Sequence, residues 1–324
     1  MGASTSYRTA WRSRTIAALV ASVASIAYVQ CGGDKSPTPT QPTVPPPTTV
    51  LPIPAPTPTP SPSPPQIFVG AGDIGWNSNG GGQEQTAKLI DGTGGTVFTT
   101  GDNAYLDGSA RNYSDWYNPS WGRFRDRTRP VPGNHEYDTD HSMAGYFGYF
   151  GTAAGAFPGY YSHELGDWHA IALNSSIDVT GGSPQAVWLR GDLATHPSKC
   201  TIAYWHFPLF TSGPNGNQPQ MRAIWQILYD NNVDVIVNGH DHLYERFAPQ
   251  APDGFPDPVR GIREFIVGTG GALLYEIVTN MPNSERRIAG VYGVLKFTLS
   301  DGAYDWQFIP VSGGQSDAGH GTCH

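Results

Sequence analysis

The stretch that decides the fold reads VDVIVNGHDH, from Val233 to His242. Its first five residues are mostly valine and isoleucine, and such a β-branched run is typical of a buried strand. The run ends in Asn-Gly-His-Asp-His, where a glycine lets the backbone turn sharply before two imidazoles. A buried strand followed at once by clustered polar side chains is typical of the ligand-binding edge of an open α/β sheet.

Four other segments end in the same way, in glycine followed by Asp or Asn, or in a histidine alone. They are 67–71 before Gly72-Asp73, 96–100 before Gly101-Asp102, 130–132 before Gly133-Asn134-His135, and 201–205 before His206. Because an open α/β sheet binds its ligands at the carboxyl ends of its strands, we expect all five polar endings to converge.

Short apolar runs alternate with helical patterns along the chain. Strand–helix alternation followed by consecutive strands predicts the α/β class with mixed sheets. The predicted strands are 67–71, 96–100, 160–165, 168–173, 201–205, 233–237, 264–267, 294–299 and 306–311, and the predicted helices are 83–90, 184–195 and 219–229.

The polar side chains at the strand endings offer oxygen and nitrogen donors and no thiolate, a mixture that suits Mn, Fe or Zn. The donors outnumber the needs of one ion, so two ions that share a ligand are the economical interpretation. Two ions ~3.5–4 Å apart form a clamp for the displacement of phosphate esters. The candidate metal ligands are Asp73, Asp102, Tyr105, Asn134, His206, His240 and His242.

Five motifs in this order resemble those of the purple acid phosphatases, a branch of the calcineurin-like metallophosphoesterases. The motifs are GDIG at 72–75, GDNAY at 101–105, GNHE at 133–136, AYWH at 203–206 and GHDH at 239–242. The resemblance implies a fold of two mixed β-sheets packed as a sandwich and flanked by helices. It also implies hydrolysis of phosphate monoesters at a dinuclear metal centre by a metal-activated hydroxide, as in an acid phosphatase.

Two positions favour the purple branch over its relatives. Position 75 is glycine, where most calcineurin-like enzymes have a metal-binding histidine, and Tyr105 stands where the purple branch has a metal-binding tyrosinate. A buried core tyrosine is the alternative for Tyr105. The resemblance implies a ferric ion held by Asp73, Tyr105 and His242, a divalent ion (Fe, Zn or Mn) held by Asn134, His206 and His240, and Asp102 as the bridge between them.

The resemblance also implies a catalytic role for His135, which follows Asn134. Its imidazole would stabilise charge on the phosphate or protonate the leaving oxygen. The alternative is that it orients a neighbouring ligand. Some family members carry further histidines after the fourth motif, but 211–220 has none, so His135 is the best candidate for the leaving-group acid.

Several residues near the motifs have a less specific interpretation. Asp241, between two proposed ligands, is expected to face away from the ions. Away from the motifs, His169 is expected to be hydrogen-bonded or exposed on a strand, and His196 to lie at the surface. Four aromatic residues could line the substrate mouth, although aromatic residues more often belong to the core. They are Trp76, Trp116, Trp121 and Tyr146.

The N-terminus has the pattern of an export signal, with three arginines before the apolar run 15–29. Cys31 follows, which resembles a bacterial lipoprotein signal whose cysteine is lipidated; an ordinary secretory signal with an incidental cysteine is the alternative. We predict an export signal at 1–30, a Pro/Thr/Ser-rich linker at 31–66 and a catalytic domain at 67–324. The protein would then lie at an outer surface or in a periplasm as a lipoprotein, or otherwise be secreted.

The two remaining cysteines, Cys200 and Cys323, are expected to form a disulfide, because paired cysteines in an exported protein are more often bridged than metal-bound. Two unpaired buried thiols are the alternative. The favoured bridge pins the C-terminal tail beside the strand that begins near Cys200.

The acidic balance limits the partners of the chain. A formal net charge of −8 argues against a nucleic-acid surface or an anionic membrane surface, both of which need a basic patch. The expected partner is a small phosphorylated substrate, whose charge bound metal ions can balance. Membrane contact is expected only through a lipid on Cys31, and the sequence predicts no oligomeric state.

Two other functions remain open from sequence. One is a phosphodiesterase, or a hydrolase of nucleotides or phospholipid head groups, because the motifs shape metal sites rather than leaving-group pockets. The other is a surface-tethered binding lipoprotein with an inactive phosphoesterase-like domain. All seven candidate ligands are present, which disfavours an inactive domain.

Overall fold

The computed structural model describes residues 63–76, 81–137, 141–311 and 313–324. These residues lie within one compact unit, Thr59–His324. The predicted export signal, Cys31 and the predicted linker as far as residue 62 lie outside the described residues. No helix in the described ranges is long and apolar enough to cross a membrane.

Thirteen strands are described, and they form two sheets. In chain order they are β1 Gln66–Ala71, β2 Thr96–Thr99, β3 Thr128–Arg129, β4 Tyr161–Leu165, β5 Trp168–Ala172, β6 Cys200–Tyr204, β7 Val235–Asn238, β8 Tyr244–Phe247, β9 Arg263–Val267, β10 Ser284–Ile288, β11 Gly293–Ser300, β12 Ala303–Pro310 and β13 Asp317–Thr322.

Six α-helical segments connect these strands. In chain order they are α1 Gln83–Asp91, α2 Ala110–Asn112, α3 Asn134–Tyr137, α4 Ala144–Phe150, α5 Pro184–Thr195 and α6 Arg222–Asp230. A π-helical turn at Tyr113–Tyr117 follows α2 directly, and 3₁₀ turns lie at Trp121–Arg127, Gly151–Ala154 and Pro219–Met221.

Both sheets are mixed, as the sequence predicts. The first has the order β13-β12-β11-β1-β2-β3, in which β1, β2 and β3 are parallel and the others antiparallel. The second has the order β10-β8-β9-β7-β6-β5-β4, with a parallel centre of β5, β6, β7 and β9. Parallel strands in each sheet bring their carboxyl ends to one edge, which is the edge where the five motifs begin.

The sheets pack face to face around one hydrophobic core, and α5 and α6 cover the outer face of the second sheet. Strand β6 shows both layers, because successive side chains of a strand point to opposite faces. Ile202 and Tyr204 lie in the core between the sheets, whereas Ala203 and Trp205 lie in the core with α5 and α6. This sandwich flanked by helices confirms the predicted fold class.

All nine predicted strands are present, with ends within one to three residues of the expected positions. The predicted helix at 219–229 divides into a 3₁₀ turn and α6. Strands β3, β8, β10 and β13 were not predicted, and neither was α4. Two of these strands, SERRI at β10 and DAGHGT at β13, are polar segments at sheet edges and lack the apolar run that marks a buried strand.

A disulfide joins Cys200, at the start of β6, to Cys323, just after β13. The two Cα atoms are 5.4 Å apart and the residues are 123 positions apart in the sequence. The bond therefore connects the second sheet to the outer strand of the first sheet and holds the C-terminal tail.

Candidate metal centre

The five polar segment endings named above lie side by side at one edge of the sandwich. The amide of Asp73 donates to the carbonyl of Gly101 at 3.0 Å, and His206 Nδ1 contacts the carbonyl of Thr100 at 2.8 Å. The amide of Gly239 donates to the carbonyl of His206 at 3.0 Å. These backbone contacts tie loops of both sheets together, so the side chains they carry are brought into one cluster.

Three proposed ligands have backbones in the left-handed region, where side-chain-bearing residues are uncommon. The φ angles are 59° at Asp73, 49° at Asp102 and 70° at His240. Such conformations persist where the surrounding structure enforces them, and they concentrate at functional sites. Gly133 allows the closest approach: a Cβ there would lie 2.1 Å from Asp102 Oδ1, so any side chain would displace the proposed bridge.

One half of the cluster consists of Asp73, Tyr105 and His242. The phenol oxygen of Tyr105 donates to Asp73 Oδ1 at 2.8 Å and lies 3.1 Å from His242 Nε2. His242 Nε2 lies 3.2 Å from the same Asp73 oxygen. Two oxygen donors and one nitrogen donor therefore meet at a single point, in the set that sequence assigns to a ferric ion.

The other half contains Asn134, His206 and His240. His206 Nε2 lies 3.0 Å from Asn134 Oδ1, and the ring of His240 lies 5.0 Å from the ring of His206. Asp102 stands between the halves, because its Oδ2 is 3.0 Å from the phenol oxygen of Tyr105 and 3.2 Å from His206 Nε2. The structure thus brings all seven proposed ligands together and gives Asp102 the position of a shared ligand.

Charge in this cluster favours cation binding. Burial raises the pKa of Asp102, but the charges and hydrogen bonds of His206 and His135 outweigh burial and hold that pKa well below its usual range. Burial lowers the pKa of His240 to about 3, helped by the charge of His206, so its imidazole is neutral and can bind a cation. Burial and the field of Asp102 and Asp73 raise the pKa of Tyr105 well above its usual value.

His206 and His242 respond to the same carboxylates in the opposite direction. Burial lowers the pKa of His206, yet Asp102 and Asp73 raise it overall to about 9. Burial and Asp73 act likewise on His242, whose pKa is raised. Two buried carboxylates and a phenol thus gather in one place, and the field of the carboxylates favours the protonated forms of His206 and His242.

The residues present fit a pair of metal ions. Asp73, Asp102 and His206 offer one donor atom each within 4.8 Å of one another, and all three side chains are buried. A buried carboxylate pair that shares a phenol proton is costly without a cation, and metal ions bind carboxylate and neutral imidazole while displacing those protons. The donor set of oxygen and nitrogen suits Mn, Fe or Zn.

His135 lies beside the proposed bridge. Its amide donates to Asp102 Oδ1 at 2.9 Å, its Nε2 lies 3.8 Å from Asp102 Oδ2, and its ring packs 4.5 Å from that of Tyr105. Its Nδ1 contacts the carbonyl of Leu106 at 2.5 Å. Since a carbonyl only accepts, this contact fixes the proton on Nδ1 and directs Nε2 toward the cluster.

Glu136 is a functional residue that sequence reasoning missed, although it is the last residue of the GNHE motif. Its buried carboxylate accepts from the amides of Asp102, Asn103 and Gly133 at 2.7–2.9 Å, and from the hydroxyl of Tyr113 at 3.0 Å. It therefore fixes the loop of the proposed bridge against the loop of Asn134. The motif contained the signal, but two of the partners, Asp102 and Asn103, lie more than thirty positions away in sequence.

Asp241 faces away from the metal cluster. Its carboxylate accepts from the hydroxyl of Thr211 at 2.6 Å and from the amide of Asn215 at 3.1 Å. It thus holds the loop after the fourth motif. Trp121 and Tyr146, considered for the substrate mouth, are fully buried in the core.

A second cluster of histidine and carboxylate lies elsewhere on the second sheet. His169 on β5, Asp192 on α5 and His196 after α5 place one donor atom each within 4.8 Å of one another. His169 is hydrogen-bonded through both ring nitrogens, to Glu164 and to Asp192, at 2.8 Å each.

The profile of the calcineurin-like phosphoesterase family matches residues 67–244, more than half of the chain. The chain belongs to this family. Phosphoesterases of the family are metal-dependent, and the match ends just after the fifth motif, so it includes every proposed ligand.

Curated relatives of this phosphoesterase confirm the predicted resemblance to the purple branch. Purple acid phosphatase 18 of Arabidopsis thaliana is 29% identical over 184 residues, which are 49% of this chain and 41% of that protein. Purple acid phosphatase 22 of the same plant is 33% identical over 118 residues, 35% of this chain and 27% of that protein. The chain thus spans less than half the length of these relatives.

Solved structures share the fold of this phosphoesterase. Purple acid phosphatase PPD1 from yellow lupin seeds superposes with a TM-score of 0.66 at 22% identity, over 81% of this chain and 55% of that one. GAP50, the anchor in the inner membrane complex of Plasmodium, superposes with a TM-score of 0.62 at 13% identity, over 81% of this chain and 90% of that one. At these identities the likeness establishes the fold alone.

Proposed function

We propose that this phosphoesterase hydrolyses phosphate monoesters at a dinuclear metal centre, as an acid phosphatase of the purple type. One observation carries the proposal: the Asp102 carboxylate reaches both halves of a seven-donor cluster, at 3.0 Å and 3.2 Å. A shared anionic ligand between two donor sets is what a two-ion clamp requires. The curated relatives named purple acid phosphatases add support for the monoester activity.

Asp73, Tyr105 and His242 would hold one ion, and Asn134, His206 and His240 the other. When bound, such a pair supplies Lewis-acid activation of water and neutralises the charge of the phosphate. The residues of the chain contribute positioning, because Glu136 and the backbone contacts between loops fix the donors before substrate arrives.

His135 would act on the substrate directly. Its Nδ1 is engaged with the carbonyl of Leu106, so Nε2 is the nitrogen directed toward the cluster. In the protonated form, Nε2 would stabilise charge on the phosphate or give its proton to the leaving oxygen. The side chain is 29% exposed, which leaves it accessible to a bound ester.

The ferric assignment depends on Tyr105. Its phenol oxygen lies within 3.1 Å of donor atoms of Asp73, Asp102 and His242, and these contacts support a ligand over a core tyrosine. Hard phenolate and carboxylate donors support Fe(III) in this half and a divalent Fe, Zn or Mn ion in the other.

We also propose the placement of the protein. Residues 1–30 would direct export, Cys31 would carry the lipid, and residues 31–66 would hold the catalytic domain 67–324 away from the membrane surface. The Cys200–Cys323 disulfide supports an oxidising compartment. A small phosphorylated substrate would be the partner.

Purification in air, metal analysis and a panel of phosphate monoesters and diesters test the proposal. We expect monoester turnover, two ions per chain including iron, and a broad visible absorption band from phenolate-to-iron charge transfer. Tyr105→Phe should abolish the band and lower activity while the fold survives, since only one hydroxyl is removed. A colourless protein with two Zn or Mn ions and a silent Tyr105→Phe would exclude the purple assignment, and turnover of diesters alone would exclude the monoester function.

A further inference from the structure

An open groove of about 780 Å³ lies beside β3 and β4, the edge strands of the two sheets, and none of the seven proposed ligands lines it. Its walls come from the 3₁₀ turn before β3, the 3₁₀ turn Gly151–Ala154 and the first residues of β4. It is called here the edge groove, and the side chains that give it polar character are Arg125, Asp126, Arg129, Tyr161, Ser162 and His163. Sites for small molecules have volumes of about 300–1,000 Å³, so the edge groove is large enough for a small organic ligand.

Two guanidinium groups border the edge groove without an acidic partner. Within the described ranges, neither Arg125 nor Arg129 has a carboxylate at ion-pair distance. Arg123 and Arg246, by contrast, each pair with a carboxylate at 2.7 Å. The guanidinium of Arg129 approaches the backbone carbonyl of Thr128 at 3.4 Å, which is long for a hydrogen bond. Both groups can therefore bind an anion without first breaking an ion pair.

The charge of Arg129 acts on the side chains around it. Burial lowers the pKa of His163 to about 4, with the charge of Arg129 acting in the same direction. Burial raises the pKa of Tyr161, and the charge of Arg129 opposes that rise. His163 is therefore neutral near neutral pH, and Arg129, itself partly buried, is a cation beside groups that carry no balancing charge. Partial burial of an unbalanced cation favours binding of an anion.

Two other polar groups of the edge groove can accept hydrogen bonds. The hydroxyl of Ser162 donates to Asp192 Oδ1 at 2.7 Å, so its oxygen is left to accept. The carboxylate of Asp126 is exposed, accepts hydrogen bonds and repels any anion placed directly against it. The edge groove thus combines guanidinium donors for an anionic group with acceptors for neutral hydroxyl groups of the same ligand.

Two guanidinium groups match a phosphate better than a carboxylate. Arginine pairs with either anion through two parallel hydrogen bonds. A phosphate monoester carries close to two negative charges at neutral pH, whereas a carboxylate carries one. Because Arg125 and Arg129 both border the groove, a doubly charged group can pair with both of them.

We propose that the edge groove binds small hydroxylated organic phosphates, such as phosphates of sugars or polyols, at a site separate from the metal centre. Arg125 and Arg129 hold the phosphate, and hydroxyl groups of the ligand donate to Asp126 and Ser162. The groove holds its ligand without hydrolysing it, because it contains none of the proposed metal ligands. The inference goes beyond the proposed phosphatase function and does not depend on turnover at the metal centre.

Equilibrium dialysis of the metal-loaded protein against 3,4-dihydroxybutylphosphonate tests the site, because the carbon–phosphorus bond of this probe resists hydrolysis. We expect two bound molecules per chain, one at the metal centre and one in the edge groove. Arg129→Met should weaken the second about 10- to 100-fold. The Arg125→Met, Arg129→Met double variant should lose that molecule and keep the one at the metal centre, which also reports that the variant is folded. Binding that is the same in wild type and double variant would overturn the inference.

Two matched probes test the chemistry of the ligand. Butylphosphonate lacks the hydroxyl groups and should bind the edge groove about five- to tenfold more weakly. Asp126→Ala should bring the two phosphonates close to equal affinity in the groove. The carboxylate 4,5-dihydroxypentanoate carries one charge and should bind more weakly than the dihydroxy phosphonate. Equal binding of the carboxylate would contradict a phosphate site, and equal binding of butylphosphonate by the wild-type protein would contradict the role of the hydroxyl groups.

Two further variants separate specific recognition from a general effect of charge. Arg129→Lys keeps the charge but loses the planar pair of donors, so it should give an affinity between those of wild type and Arg129→Met. Arg190→Met removes an exposed arginine of α5, whose guanidinium donates to the carbonyl of Gly181 at 2.8 Å outside the groove. It should keep both binding sites. Loss of the second site in Arg190→Met as well would contradict a site built by Arg125 and Arg129.

Discussion

Two clusters of histidine and carboxylate can be compared in this molecule, and residue type alone does not distinguish them. The metal centre joins Asp73, Asp102 and His206, and the second cluster joins His169, Asp192 and His196. Each set places three donor atoms within 4.8 Å. A search for metal-binding residue types would therefore rank the two alike.

Their surroundings differ. The metal centre gathers donors from five strand endings, and three of its ligands have strained left-handed backbones. The second cluster is carried by one strand and one helix, and Asp192 is satisfied by Ser162 and His169 at 2.7 Å and 2.8 Å. The rings of His169 and His196 stack in parallel, 4.9 Å apart, rather than pointing at a common centre. Convergence of donors, rather than their chemistry, separates a metal centre from a hydrogen-bonded network.

Removal of the central carboxylate should change activity very differently in the two clusters, and this is the largest difference we expect. Asp102→Asn takes away the anionic ligand shared by both halves, so we expect activity to fall by about three orders of magnitude, or roughly 4 kcal/mol of transition-state stabilisation. The matched variant Asp192→Asn should retain wild-type turnover. Phosphatase assays at saturating metal measure both, and near-normal turnover in Asp102→Asn with two ions bound would remove the two-metal assignment.

Substitution of Glu136, which fixes the loops of the metal centre, should have the next largest effect on activity or metal affinity. Glu136 accepts backbone hydrogen bonds from both motif loops. Glu136→Gln would place a side-chain NH2 group, which only donates, against some of those backbone N–H groups. We expect about a 10- to 100-fold loss in activity or metal affinity, as for other groups that orient ligands. Metal titration of the variant measures this, with Glu164→Gln in the second cluster as the control. Unchanged affinity would mean that the loops hold their positions without Glu136.

The second cluster should affect stability rather than activity, and only in part of the pH range. Burial lowers the pKa of His169, but hydrogen bonds and charge from Asp192 and Glu164 raise it overall. A histidine whose pKa is higher in the folded protein than in the unfolded chain stabilises the fold. This stabilisation is complete at pH values below the pKa in the unfolded chain, about 6.5, and is lost as the pH rises through the pKa in the folded protein. His169→Gln should therefore cost roughly 1 kcal/mol at acidic pH and less at alkaline pH.

Denaturant unfolding of wild type and His169→Gln across that range measures the difference. Because the groups away from His169 are shared by both proteins, subtraction isolates His169 together with its effect on the pKa of Asp192. A difference that stays constant with pH, or grows as pH rises, would contradict the charged hydrogen-bonded network. A loss of phosphatase activity with intact stability would instead give the second cluster a functional role.

The sequence could place the proposed ligands at the polar segment endings because those signals are local. The endings that carry Asp73, Asp102 and His240 are each marked by an apolar run, a glycine and a polar residue, so these ligands could be placed without long-range information. The mixed sheets followed from the same runs. The edge strands β10 and β13 were missed because their residues face solvent and carry no such run.

Other features depend on contacts between distant segments. Glu136 was visible as a motif residue, but its role lies in hydrogen bonds to a loop more than thirty positions away. Tyr275 lies outside every motif, and only the packing of its loop brings its ring onto His242. Trp121 shows the opposite case, an aromatic residue near the motifs whose side chain is buried in the core. Residue order alone cannot separate these outcomes.

The number of bound metal ions and their positions decide whether this molecule has a dinuclear centre. Crystals of the purified protein, measured by anomalous diffraction at the absorption edges of iron, zinc and manganese, would count the ions and locate them. We expect two ions, one on each side of Asp102, with Tyr105 at one of them, and none at His169, Asp192 and His196. A single ion beside Asp102, or an ion held by the second cluster in place of that pair, would contradict this expectation.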